Sequence, residues 1–132
     1  MTTATKLMVF LAGLLHVAIF AMESIFFLNE KIYSRFLIES FEHAQIVSLF
    51  AYNQGWYNLF LALAALTGVL FVNKLPRNVG AALSMYACLS MLGAALVLTF
   101  SAPELTRAAF VQGVFPILAV VLFALSLRQR SS

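Results

Sequence analysis

The sequence predicts an all-α membrane protein in which four transmembrane helices form a bundle, and three observations support this fold class. Of 132 residues, 63% are hydrophobic. The chain holds only 8 basic and 5 acidic side chains, far fewer than the about 25% charged residues of a soluble domain. Four apolar segments also have about the 20 residues that a helix needs to cross a bilayer. The whole chain, 1–132, is therefore interpreted as one integral membrane domain.

The first predicted span covers residues 7–28, which are apolar except at His16, Glu23 and Ser24. It is long enough to cross the membrane, so we interpret it as a retained helix and not as a cleaved signal peptide. The connector that follows, 29–44, mixes charged with apolar side chains. This mixture is typical of a segment that lies along the membrane interface and is at least partly helical.

The second predicted span, 48–72, is interrupted by a polar run over 52–58. A turn-rich connector with Pro76 separates it from the third span, 79–100. The fourth span, 108–127, follows a Ser-Ala-Pro-Glu sequence that is typical of a helix start. Transmembrane strands are excluded, because a barrel needs at least eight alternating segments of about ten residues.

Basic residues predict the orientation of these spans. With four spans, one side of the membrane holds five basic residues and no acidic ones: Lys6, Lys74, Arg77, Arg128 and Arg130. The other side holds three basic and four acidic residues: Lys31, Arg35, Arg107, Glu30, Glu39, Glu42 and Glu104. Both termini are therefore expected in the cytoplasm, as in a bacterial inner-membrane protein whose acidic side faces the periplasm. Basic residues scattered in this way do not predict a nucleic-acid partner.

Polar side chains at membrane depth are the candidates for function, because an unpaired polar group in hydrocarbon costs several kcal/mol. At about 1.5 Å per helical residue, Glu23, the pair Asn53 and Gln54, and Gln112 fall in one layer of the outer third of the membrane. Tyr57, Asn58, His16 and Tyr86 continue this layer toward the midplane. The sequence therefore predicts that polar groups from separate helices converge.

Glu23 is interpreted as functional, since a carboxyl this deep marks a functional site by default. His16 lies two helical turns away on the same face, so the two groups could form a proton-active pair. The Asn, Gln and Tyr side chains have a competing structural interpretation, because such residues commonly hydrogen-bond neighbouring helices at about 0.6 kcal/mol per bond. For the amides taken singly, this structural interpretation comes first.

Other residues predict packing or give no site. Gly80, Ser84 and Cys88 are spaced by four and predict a close-packing helix face. Glu39 and His43 are also four apart, but a zinc site takes three or four ligands, so no metal is expected. No serine–histidine arrangement accompanies the carboxyl, and the sequence assigns neither an enzymatic reaction nor a cofactor.

Three motifs resemble a known family. They are Leu15–Phe20 followed by Glu23, the run from Asn53 to Ala62, and Gln112-Gly113 ahead of Pro116. Together they resemble the small bacterial membrane proteins grouped as domain of unknown function 1304, and the resemblance covers nearly the whole chain. It implies a four-helix inner-membrane protein and supplies no reaction.

The sequence thus favours a pocket in the outer half of the membrane that binds, and could transform, a small amphiphilic or lipid-like molecule. Glu23 with His16 would be the proton-active pair, and six residues would contact the ligand: Asn53, Gln54, Tyr57, Asn58, Tyr86 and Gln112. One alternative is a proton-coupled transporter, as a homo-oligomer, that uses Glu23. Another is an accessory subunit of a membrane complex. Membrane lipid is the expected environment in every case.

Overall fold

The computed structural model of the chain describes residues 1–76 and 78–131, without the side chains of Arg130 and Ser131. Arg77 and the side chain of Arg130, both used in predicting the orientation, lie outside the described residues. Five α-helices follow one another: α1 (Thr3–Phe20), α2 (Glu30–Tyr33), α3 (Phe41–Leu70), α4 (Val79–Ser101) and α5 (Thr106–Ser131). A π-helical segment (Ala21–Ile25) extends α1, and 3-10 turns cover Ser34–Phe36 and Pro103–Leu105. The described part of the chain contains no strand.

Helix α1 begins at a Thr2 cap, whose side chain accepts from the backbone N–H of Thr5. Its π-helical extension ends at Ile25, three residues before the predicted end of the span. Hydropathy alone does not predict where the helix ends, because the apolar residues that follow Ile25 include one that packs in a small core under the connector. Phe27 is buried beneath the connector against Tyr33 and Ala44.

The four long helices pack in a ring. Helices α1 and α4 each pack against both α3 and α5, and they barely contact each other. Small and medium apolar side chains fill the centre: Val9, Ala12, Ala65, Val69, Met85, Ala87, Cys88, Met91 and Ala119. This arrangement buries the middle of every long helix and leaves large apolar side chains on the outer surface.

Helices α3 and α4 approach each other closely at two glycines, Gly68 and Gly80. A Cβ atom on Gly68 would lie 2.6 Å from the carbonyl oxygen of Gly80, and one on Gly80 would lie 2.7 Å from that of Gly68. The hydroxyl of Ser84 donates to the carbonyl oxygen of Ala65 at 3.4 Å. Gly80, Ser84 and Cys88 are all buried, which confirms the close-packing face that their spacing predicts.

Among the described residues, three helical stretches are long and apolar enough to cross a membrane: Thr3–Ile25, Val79–Ser101 and Pro103–Gln129. The chain therefore has the helices of a membrane protein. Helix α3 is not among them, because the polar run over 52–58 lowers its mean hydropathy. The fourth span and the orientation of the termini stay predictions.

Candidate functional site

The candidate site is built around Glu23 in the π-helical segment. The carboxyl is half-buried, and its Oε2 accepts a hydrogen bond from Nδ2 of Asn58 at 2.9 Å. Asn58 comes from α3 and is 8% exposed. Its Nδ2 also donates to the carbonyl oxygen of Gln54, 3.2 Å away in the same helix. The Asn58 amide is thus held in place by a backbone carbonyl of its own helix while it donates to the Glu23 carboxyl of the π-helical segment.

A second bond and a glycine join the π-helical segment to α3. The hydroxyl of Ser24 donates to the carbonyl oxygen of Tyr52 at 2.8 Å. Gly55 is buried here, and a Cβ atom on it would clash with Oγ of Ser24 and lie 3.1 Å from Cβ of Glu23. Because π-helical turns are rare and are frequent at functional sites, this local geometry supports a function for Glu23.

Aromatic rings pack alongside this junction. The indole of Trp56 lies 5.2 Å from the ring of Phe20, 6.2 Å from that of Tyr52 and 6.1 Å from that of Phe60, measured between ring centroids. Such pairs contribute about 0.5–1.5 kcal/mol beyond the burial of their area. The end of α1 is therefore held against α3 by ring packing as well as by polar bonds.

An open cavity of about 370 Å³ lies beside the carboxyl. Its lining combines one acidic group with three other polar side chains and four apolar ones: Glu23, Ser24, Ile25, Phe27, Leu28, Ser48, Leu49 and Tyr52. Among the described residues, Asn58 is the one hydrogen-bond partner of the Glu23 carboxyl, through Oε2. Oε1 accepts no hydrogen bond from a described residue.

His16 lies deeper in α1 and is 1% exposed. Its Nδ1 is 2.9 Å from the carbonyl oxygen of Ala12, four residues earlier in the same helix. We assign the proton to Nδ1, since a carbonyl can only accept. The imidazole shares no hydrogen bond with Glu23 within the described chain.

The other predicted contact residues lie apart from this cavity. Asn53, Gln54 and Tyr57 are exposed on α3, and Tyr86 is exposed on α4. Gln112 is half-buried on α5. Of the six residues predicted to contact a ligand, Asn58 is the one that the structure brings into hydrogen-bond contact with Glu23.

The apolar lining residues were not among the predicted site residues, and neither were three polar residues and one glycine of the junction and its cavity: Ser24, Ser48, Tyr52 and Gly55. Ser48, Tyr52 and Gly55 follow one another at steps of four and three, so they share one helical face. Gly55, Asn58 and Ala62 continue that face and are buried. Ser48, Gly55 and Ala62 recur every seven residues along this face. This repeat of small residues is the signal that could have identified this side of α3, because small residues mark helix contacts in membranes.

Within the described chain, no three His, Cys, Asp or Glu side chains are placed to hold a metal ion. Glu39 lies in the connector before the Ser40 cap of α3 and His43 lies in the first turn of that helix, and both side chains are exposed. The groups that form the candidate site are the Glu23 carboxyl, the Asn58 amide and the apolar side chains of the cavity wall.

Comparison with protein families and with individual known proteins shows what the chain is similar to. No curated protein and no solved structure matches the chain significantly. Residues 10–124 match the family described as Protein of unknown function (DUF1304). This match contains Glu23, Asn58 and the cavity, and it confirms the resemblance carried by the sequence motifs. Because it covers most of the chain, the protein belongs to the DUF1304 family.

Proposed function

We propose that this chain is a four-span protein of the bacterial inner membrane that binds a small amphiphilic molecule in the cavity beside Glu23. The observation that carries the proposal is a Glu23 carboxyl that lines a largely apolar cavity and has one oxygen without a hydrogen-bond partner among the described residues. Binding sites for small molecules are typically apolar with a few placed polar groups. The head of an amphiphile would bind the carboxyl, and its tail would contact Ile25, Leu28 and Leu49.

Helix α3 supplies the fourth span in this proposal. Its 30 residues have a length of about 45 Å, against a hydrocarbon core of about 30 Å. The buried residues of α3 include Gly55, Asn58, Ala62 and Ala65. The polar group that lies deepest on this face, the Asn58 amide, is paired within the protein, which supports insertion despite the polar run.

Fusions to alkaline phosphatase, which is active only in the periplasm, test the topology. A fusion after Glu39 is expected to be active, and fusions after Lys74 and after Gln129 are expected to be inactive. This pattern places α3 across the membrane and both termini in the cytoplasm. Equal activity after Glu39 and after Lys74 would contradict a span formed by α3.

Trp56 offers a direct test of binding, because it is the single tryptophan of the chain and its ring packs on that of Tyr52 at the cavity wall. The probe is 12-bromododecanol, whose bromine quenches indole fluorescence. In nanodiscs that contain the full chain, we expect quenching that saturates with probe concentration, since a site has a fixed capacity.

Two variants on α3 make this test specific. Ser48→Phe fills the cavity and is expected to abolish the saturable part of the quenching. Leu63→Phe adds a ring at an exposed position on the same helix, outside the cavity, and is expected to leave it unchanged. Quenching that rises linearly and equally in all three proteins would show partition into lipid alone and would overturn the proposal.

Transport is distinguished from binding by a flux measurement. With a pH gradient across proteoliposomes, binding alone gives no net uptake of the cationic dye ethidium. Uptake that Glu23→Gln abolishes would favour a proton-coupled transporter over the binding protein proposed here.

A second candidate function, assembly with another membrane chain, is favoured by the exposed amides of Asn53 and Gln54. An exposed amide at membrane depth needs a partner, and amides both donate and accept, so two copies of α3 could pair. Oxidative crosslinking of Asn53→Cys in native membranes is expected to give a dimer if copies pair there. Ala94→Cys, exposed on α4, is the matched control. A stoichiometric foreign partner would instead indicate an accessory subunit.

A further inference from the structure

Glu23 occupies an electrostatically unfavourable place in its own helix. It lies in the last turn of the continuous stretch Thr3–Ile25, where unpaired carbonyl groups make the helix end negative. Neither α1 nor its π-helical extension has a basic residue in its last turn. In the described chain the carboxyl has one polar contact, the neutral amide of Asn58. A conflict of this kind between a residue and its local setting is expected at functional sites.

The hydrogen bonds that the lining hydroxyls already make determine whether these groups can donate to a ligand or only accept from it. The hydroxyl of Ser24 already donates to the carbonyl oxygen of Tyr52 at 2.8 Å. The hydroxyl of Ser48 donates to the carbonyl oxygen of Gln45 at 2.7 Å. Each hydroxyl has one hydrogen, so both oxygens can only accept from a bound molecule. Glu23, as a carboxylate, also only accepts.

Tyr52 has the one remaining side-chain O–H among the lining residues, since no described group pairs with it. The cavity therefore presents three acceptor side chains and a single donor. Tyr52 and Phe27 also contribute aromatic rings to the wall, and such rings attract a cation within about 6 Å. Charge, hydrogen-bond direction and ring content all favour a ligand head that is positive and rich in donors.

We infer that the head group taken by this cavity is a protonated primary amine carried on an apolar chain, an inference that rests on the binding function proposed above. A primary ammonium has three N–H donors, which match the acceptors of Glu23, Ser24 and Ser48. A carboxylate or phosphate head would face the negative helix end with one donor to bind it. A quaternary ammonium carries the charge but has no donor.

Calorimetric titration of the full chain in phosphatidylcholine nanodiscs tests this inference with four probes of equal chain length. They are dodecylamine, dodecyltrimethylammonium, dodecanol and dodecanoate, each corrected for its heat of partition into empty nanodiscs. Dodecylamine is expected to bind about tenfold more tightly than dodecyltrimethylammonium, since tenfold corresponds to about 1.4 kcal/mol, close to the lower limit for one hydrogen bond to a charged group. Dodecanol should bind more weakly than dodecylamine, and dodecanoate should bind least.

Two variants that remove one negative charge separate the site from general surface charge. Glu23→Gln keeps an oxygen that can accept from Asn58, so the fold is preserved while the carboxylate is lost. It is expected to weaken dodecylamine binding about tenfold or more. Glu104→Gln removes an exposed carboxyl from the turn before α5 and is expected to leave dodecylamine binding unchanged.

The amine can come from a lipid head group or from a free amphiphile. Replacing part of the phosphatidylcholine by phosphatidylethanolamine distinguishes these sources. A lower apparent affinity for dodecylamine would identify the lipid ethanolamine as a competitor, and an unchanged affinity would identify a free alkylamine as the ligand.

Four results would overturn the inference. Equal binding of dodecyltrimethylammonium and dodecylamine, or tighter binding of dodecanoate, would exclude the primary amine while leaving an amphiphile site in place. Glu23→Gln binding dodecylamine as tightly as the native chain would remove the carboxylate from the site. Binding of none of the four probes would overturn the proposed function as well.

Discussion

Helix α3 makes close contact with a neighbouring helix at each of two glycines, and the two contacts have different roles. At Gly68 it meets α4, where the nearest atoms to an added Cβ belong to Gly80 and Ser84. At Gly55 it meets the π-helical extension of α1, where the nearest atoms belong to Ser24 and Glu23. Both crossings bring backbones close through a residue without a side chain, as is common between membrane helices.

The difference lies in what surrounds each crossing. Near Gly68, the Ser84 hydroxyl is buried and bonded to the Ala65 carbonyl, and the neighbouring core is apolar. Near Gly55, a carboxyl is held by an amide from the other helix and borders an open cavity. Close packing therefore stabilises the fold at one end of α3, while at the other end it holds a carboxyl at the wall of the cavity in which we propose that a ligand binds.

The largest loss of stability is expected from a substitution at Gly68, where α3 packs closely against α4. In Gly68→Ala the new Cβ would lie 2.6 Å from the Gly80 carbonyl oxygen and 2.9 Å from the Ser84 nitrogen. Backbone atoms cannot rotate away, so we expect a loss of about 1–3 kcal/mol in unfolding free energy. The measurement is SDS-induced unfolding in mixed micelles, followed by circular dichroism. Gly93→Ala, with no atom within 4 Å of its added Cβ, is the control, and equal stability of both variants would contradict the close crossing.

A smaller loss is expected from Asn58→Ala, which removes the donor from Oε2 of Glu23. Leaving this half-buried acceptor unpaired should cost about 1–2 kcal/mol. Asn53→Ala makes the same chemical change at an exposed position of the same helix and should stay within about 0.5 kcal/mol of the native chain. The same unfolding measurement compares them, and equal losses would show that the Asn58 bond does not stabilise the junction.

The smallest effect is expected from Ser24→Ala, which removes the bond to the Tyr52 carbonyl at a cost of about 0.5–1.5 kcal/mol. Gly55→Ala alone should also destabilise the chain, since its Cβ clashes with the Ser24 hydroxyl. In the double variant this clash is absent, so the two losses should not add. Strictly additive losses in a double-mutant cycle would contradict a direct contact between Gly55 and Ser24.

Much of the fold could be predicted from the sequence, because long apolar runs and their breakers give helices directly. The span predicted over 79–100 lies within α4, and that over 108–127 lies within α5. The end of the first helix could not be predicted in this way. Phe27 is apolar because it packs under the connector against Tyr33 and not because it continues the helix.

The site was harder to predict, because hydropathy does not distinguish the faces of a helix that is surrounded by lipid and apolar neighbours. Gln54 and Asn58 lie one turn apart in α3, yet Asn58 is buried and Gln54 is exposed. The π-helical turn that directs Glu23 toward Asn58 has no sequence signature of its own. The depth of each polar residue in the membrane could be estimated from residue counts. The direction in which its side chain points depends on tertiary packing, which the sequence pattern does not give.

Chemical modification of Glu23 tests most directly whether its carboxyl borders a ligand cavity within the membrane. Dicyclohexylcarbodiimide is an apolar reagent that reaches carboxyl groups in apolar surroundings, and mass spectrometry of the digested chain identifies the modified residue among the 5 acidic ones. We expect modification at Glu23, with dodecyltrimethylammonium protecting it in proportion to occupancy, because this amphiphile has no N–H group that could attack the activated carboxyl. An unmodified Glu23, or modification that no amphiphile slows, would contradict an accessible carboxyl in a binding cavity.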